Sequence, residues 1–277
     1  MILPRSLGIM QGRLVPPADG RIQSFPRERW EQEFPLAAAA GLGAIEWIYD
    51  TYGLNANPLE TDRGVERIAS LASEHRVAVH SVCADYFMDF AFVRAAGAAR
   101  SERLARLAWL LGQAKRLGVT RVVLPFVDQS AIRDAADREA VVDALDRALP
   151  DAEAAGIELH LETSLTPDDF VTLLASVPHP LVKVNYDSGN SSSLGYKPAE
   201  EFAAYGDRVG SVHVKDRVRN GGTVPLGQGD ADLDAMFACL HRLNYARDIV
   251  LQVARGTAGD ELQWARHNRA FVERYIQ

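Results

Sequence analysis

A chain of 277 residues with 47% hydrophobic and 24% charged residues can bury one large core, which excludes wholesale disorder and a small stapled scaffold. Its 37 Asp plus Glu against 30 Lys plus Arg leave a net charge of −7, a balance that works against loose binding to nucleic acid or an anionic membrane. Cys83 and Cys239 lie far apart and outside any CxxC pair, so neither a disulfide framework nor a cysteine-rich metal site is expected.

The opening MILPRSLGIMQGRLVPP has too short an apolar stretch for a signal segment, and no run approaches the ~18 apolar residues of a membrane span. A cytoplasmic protein is the expectation. Short β-branched runs then alternate with longer amphipathic stretches, which predicts parallel strands joined by crossover helices. The strands are predicted near residues 7–10, 43–48, 77–83, 120–126, 157–162, 181–187, 209–215 and 248–253. Between them, SERLARLAWLLGQAKRLG and REAVVDALDRALPDAEAAG carry alanine and leucine at helical spacing. Gly41, Gly118 and Gly156 stand just before strands, where a left-handed residue ends a helix. No linker or low-complexity tract interrupts the series, so residues 1–277 read as a single α/β domain, a (β/α)8 TIM barrel. A doubly wound sheet should carry a phosphate-cradling glycine loop after an early strand, and QGRLVPP stands there instead.

In such a barrel the reactive groups sit at the carboxyl ends of the strands. The fifth strand ends IELHLET at Glu162 and the sixth VKVNYDSGN at Asp187. The seventh runs VGSVHVKD through His213, and the eighth IVLQVARG through Gln252. Four oxygen and nitrogen donors from four consecutive strand tops suit one hard or borderline divalent ion, with Mn²⁺ the first expectation and Mg²⁺, Co²⁺ or Zn²⁺ the alternatives.

These residues resemble the xylose isomerase-like barrels, the sugar phosphate isomerases and epimerases whose wider group includes endonuclease IV. The resemblance covers nearly the whole chain and is strongest in DSGN at 187–190, HVKDR at 213–217 and the VPLGQGDADLDAMF that follows. It implies a metal site of Glu162, Asp187 and His213, with Gln252 where the family usually has a second glutamate. An amide cannot accept a proton, so a two-base epimerisation through position 252 is put in doubt. Glu162 remains a base for proton removal next to a metal-bound carbonyl, with an enediolate as intermediate.

Lys215 shares strand parity with His213 and is expected in the pocket, where it can polarise an oxygen or donate a proton. Asn190 and Glu46 are candidate contacts for substrate hydroxyls, Glu46 being balanced against a buried ion pair. Arg13, Arg217 and Arg255 suggest an anionic group on the substrate, balanced against arginines that are solvated or paired with Asp216 and Asp230. Asp85 and Asp89 read first as helix caps, His80 and His160 as barrel fillers, and Trp47, Tyr49, Tyr86 and Phe87 as pocket walls in preference to core.

The expected function is a divalent-metal-dependent isomerase or epimerase of a sugar, sugar phosphate or related keto-polyol. A lyase or dehydratase acting on a keto-sugar, inosose or 3-keto-glycoside is the alternative, and a non-catalytic carbohydrate-binding barrel the next. A DNA-repair nuclease is disfavoured, because Asn190 and Arg217-Val218-Arg219 stand where further histidine ligands would be needed. A carbohydrate is thus the expected partner, with no nucleic acid or membrane, and the resemblance implies a homo-oligomer.

Overall fold

The computed structural model describes residues 7–276. Eight strands, β1 (Leu7–Met10), β2 (Ala44–Ile48), β3 (Ala78–Cys83), β4 (Arg121–Phe126), β5 (Glu158–Thr163), β6 (Val182–Asp187), β7 (Val209–Val214) and β8 (Ile249–Leu251), close into a barrel. Neighbouring strands are parallel in the order β1-β8-β7-β6-β5-β4-β3-β2, and each lies within a few residues of its predicted place. The last strand is shorter than expected, although the Gln252 amide still donates to the Val214 carbonyl at 3.0 Å.

The crossover helices form for local reasons. Helix Asp62–His75 begins where the Thr61 hydroxyl accepts from Gly64 N, and it buries Val65, Ile68 and Leu71 one turn apart. Helix Ala135–Ala155 is capped by Asp134 and ends on Gly156 at φ 70°, a left-handed stop that costs a glycine no Cβ clash. The sequence pattern does not announce a two-stranded ribbon, Asp216–Arg217 against Thr223–Val224, that follows β7. Among the described residues, no helix is long and apolar enough to cross a membrane.

Strand alternation sorts the residues between two cores. Glu46 points into the barrel, so its neighbour Trp47 points out and packs against Phe25, Trp30 and Phe34 at ring separations of 5.7, 5.6 and 6.3 Å. Trp47, Tyr49 and Phe87 are buried in the layer between barrel and helices, and Tyr86 packs on Tyr49. The pocket walls expected of these four aromatics are therefore core instead. The barrel interior holds a polar column in place of the usual branched apolar filling. Its members include Glu46, Ser81, His160, Asn185, Ser211 and His213, all buried.

Candidate metal centre and active-site pocket

Glu162 is the penultimate residue of β5, Asp187 the last of β6 and His213 the penultimate of β7, so strand parity turns all three inward at one rim. Between Val184 and Asn185 the ladder to β7 slips by one residue, Gly210, and this slip sets Asn185 against Ser211 and Asp187 against His213. The slip requires glycine: a Cβ at position 210 would stand 2.6 Å from the His160 ring. One ligand atom each from Glu162, Asp187 and His213 then lies within 4.8 Å of the others, and all three residues are buried. This is the one such cluster of His, Cys, Asp and Glu among the described residues.

The imidazole is held from both sides. Nδ1 of His213 faces Glu162 Oε2 at 3.3 Å and Asp187 Oδ2 at 4.0 Å, while Nε2 meets Glu46 Oε1 at 2.6 Å. Burial alone would lower the imidazole pKa, but Glu46 and Glu162 outweigh it and push it up to about 10. Glu46 is likewise held below its ordinary carboxylate value: burial acts against its charge, and His213, Arg121 and Ser81 overcome it. A carboxylate behind a histidine fixes the ring and leaves the other nitrogen to a metal, so two carboxylates and this imidazole make a chemically suitable donor set for a divalent ion. Glu46 is thus the buried ion-pair partner of His213, which separates it from the pocket. The amide of Asn185 adds a bond to Glu162 Oε2 at 2.7 Å and lies 3.0 Å from His213 Nδ1.

Around this centre lies a cavity of about 400 Å³ that reaches Glu162, Asn190, Lys215, Arg217 and Gln252. Asn190 Nδ2 donates to Glu162 Oε1 at 2.6 Å, and its backbone N–H donates to Asp187 Oδ1 at 2.8 Å. The ammonium of Lys215 is shared among Asp187, Asn190 and Gln252 at 3.4, 3.4 and 3.1 Å. Its stem needs the glycine of DSGN, since a Cβ on Gly189 would meet Lys215 Cγ at 2.6 Å. The carbonyl of Gln252 therefore faces Lys215, while its Nε2 donates to Gln23 at 3.1 Å.

The arginines divide. Arg217 lines the cavity and donates to Asn190 Oδ1 at 2.9 Å. Arg255 lies outside it, donating to the backbone carbonyls of Ile22 and Val15. Arg13 touches the cavity, but donates to Val253 O at 2.9 Å, Ile22 O at 2.6 Å and Gln23 Oε1 at 3.1 Å. These two arginines tie the loop after β1 to the end of β8. Asp216 serves the rim similarly, accepting from the backbone of Gly227, Gly229 and Ala231, and Asp230 accepts from Arg219 N. Arg13→Ala takes the Arg13 donor from the buried Val253 carbonyl, while Ile22 O keeps Arg255 and Gln23 Oε1 keeps Gln252, and it is expected to cost about 1–3 kcal/mol of stability, measurable by urea denaturation.

Asp85 does not cap the short helix Tyr86–Asp89. Its carboxylate turns to the cavity, accepting from Gln23 Nε2 at 2.7 Å and Cys83 Sγ at 3.1 Å. Asp89 accepts from Thr51 and Gln129 instead of capping. His160 fills the barrel as expected, between Ser211 at 2.7 Å and Glu158 at 2.9 Å, whereas His80 is part-exposed and pairs with Asp248. Sequence reasoning missed Asn185 and Gln23. Asn185 carried a usable signal, its shared parity with Asp187. Gln23 carried none, because it reaches the site from a loop.

Comparison with known proteins agrees with this architecture. The chain is 24% identical over 266 residues to the "Putative L-ribulose-5-phosphate 3-epimerase SgbU" of Escherichia coli (strain K12), covering 90% of this chain and 92% of that one. It is 26% identical over 163 residues to the inosose dehydratase of Geobacillus kaustophilus (strain HTA426), covering 50% and 53%. Its fold matches the crystal structure of the IOLI protein with a binding zinc atom, with a TM-score of 0.78, 19% identity and coverage of 98% and 99%. The model of one family, the xylose isomerase-like TIM barrel, matches residues 34–275, and the chain belongs to that family.

Proposed function

We propose that this protein is a divalent-metal-dependent isomerase or epimerase acting on an uncharged keto-sugar or related keto-polyol. The observation that carries the reading is the convergence of Glu162, Asp187 and His213 at one rim, beside a cavity that Glu162 lines. When bound there, with Gln252 as a fourth group and Mn²⁺ the first ion to try, the metal supplies Lewis acidity for the neighbouring carbonyl.

The chain's own residues do the rest. Glu162 takes the proton from the carbon next to the carbonyl, and the Asn185 and Asn190 amides hold its two oxygens in place for that step. Lys215 offers its N–H groups to the substrate oxygen that gains charge. Arg217 and Asn190 hold a neighbouring hydroxyl. The charge of the lining, Asp50, Asp85, Asp89, Asp128 and Glu162 against Arg13, Lys215 and Arg217, supports a neutral substrate. Kinship with an L-ribulose-5-phosphate 3-epimerase supports proton transfer beside a ketone, and kinship with an inosose dehydratase supports a cyclic or open-chain polyol.

The test is incubation with Mn²⁺ and a panel of D-fructose, D-allulose, an inosose and a 3-keto-glucoside in D₂O. Deuterium uptake at the carbon next to the carbonyl without loss of mass fits the reading. Loss of water or aglycone as the main event assigns the lyase alternative. Gln252→Glu adds a carboxylate to the donor set and is expected to tighten Mn²⁺ binding roughly tenfold or more by calorimetric titration. Unchanged affinity removes Gln252 from the ion.

A further inference from the structure

With an amide at the β8 position, proton return from a wall other than that of Glu162 needs a group other than residue 252. Among the carboxyl groups that line the cavity besides Glu162 is Asp85. Asp85 follows β3, and in the closed order three strands separate β3 from β7 on either side, so Asp85 and Lys215 face each other across the mouth. The residue is only half-buried and its carboxylate is aimed. Gln23 Nε2 fixes Oδ2 and Cys83 Sγ fixes Oδ1. The same Gln23 accepts through Oε1 from Gln252 Nε2, and Gln252 Oε1 accepts from Lys215 Nζ. Two amides thus bridge a cation on one wall to a carboxyl group on the other, and the amide at 252 positions that bridge.

We propose that Asp85 is the second proton-transfer group of the site, returning a proton to the substrate from the β3 wall after Glu162 has removed one from the β5 side. This rests on the isomerase or epimerase reading. Glu162 takes the C–H proton, the bonding pair forms the C=C of an enediolate, and the carbonyl π pair moves to oxygen. The pair then returns from oxygen, a new C–H bond forms with the carboxyl proton of Asp85, and Asp85 is left ionised with Glu162 protonated. Proton exchange with water resets both groups.

The surroundings suit a group that is protonated for part of its time. Burial raises the Asp85 pKa and the Gln23 and Cys83 bonds lower it, while Asp50 beyond β2 and Glu162 on β5 raise it further, so it is pushed up to about 6. Arg13, from the loop after β1, is the cation that faces it. A donor of this kind must be protonated, so turnover should fall as pH rises through that value.

The experiment uses the full-length Mn²⁺-loaded protein and the fastest substrate of the panel above, in D₂O. Asp85→Asn keeps an acceptor for Gln23. It is expected to lower product formation about 10²-fold or more while deuterium exchange at the same carbon falls less than about tenfold, and to lose the alkaline decline. Formate should restore product formation to Asp85→Ala. Product formed at the wild-type rate by Asp85→Asn, or parallel losses of exchange and product with an unchanged pH profile, overturns the proposal and leaves the function standing. Absence of exchange in the wild type on every member of the panel overturns the function and the proposal together.

Discussion

Glu162→Gln is expected to lower kcat by about 10²- to 10⁴-fold, the span usually associated with loss of one general base, while the fold is retained. Isosteric glutamine keeps an oxygen toward Asn185 and Asn190, so the two amides that hold the native carboxylate retain at least one acceptor. What disappears is basicity and one negative charge. Both deuterium exchange and product formation should therefore collapse together, and circular dichroism should be unchanged. Exchange persisting near the wild-type rate would remove Glu162 from the base role.

Glu46→Gln should weaken Mn²⁺ binding by about 10- to 100-fold, although Glu46 does not reach the ion-binding atoms. Its carboxylate fixes the His213 ring through Nε2 and makes the opposite nitrogen a better donor. The substitution has a second readout in the metal-free protein. The folded His213 pKa, about 10, lies above its ordinary value of 6.5, so its protonation contributes stability that is fully present below 6.5 and is lost as pH rises through 10. With the largest attractive charge removed, that alkaline loss should shift to lower pH and shrink. Denaturation midpoints measured between pH 6 and 10.5 on both proteins check this, and superimposable curves would deny Glu46 its hold on the ring.

The barrel was legible because its signals are local. A period-two run, an αL glycine and a capping aspartate each act within one element, and Gly41, Gly118 and Gly156 all have positive φ as read. The clustering of the three candidate ligands was legible for a related reason, since parity and a place at a strand end suffice to turn Glu162, Asp187 and His213 to one rim. Partner choice across the fold was not legible. Glu46 and His213 are 167 residues apart, and Arg13 finds the Val253 carbonyl across 240. No composition or spacing indicates that Arg13 and Arg255 brace the loop after β1 against the end of β8. Asp85 was read as a cap because aspartate before a short helix usually is one. The Gln23 side chain, arriving from a distant loop, draws it to the cavity. The aromatics went the same way: parity placed Glu46 inward, and the same rule applied one residue further puts Trp47 outside the barrel.

The most direct measurement is anomalous diffraction from crystals soaked in Mn²⁺. The account predicts one strong peak bounded by Glu162, Asp187 and His213 Nδ1, within coordination distance of one donor atom from each. A peak elsewhere, or no peak at this rim when Mn²⁺ is in excess, would contradict it.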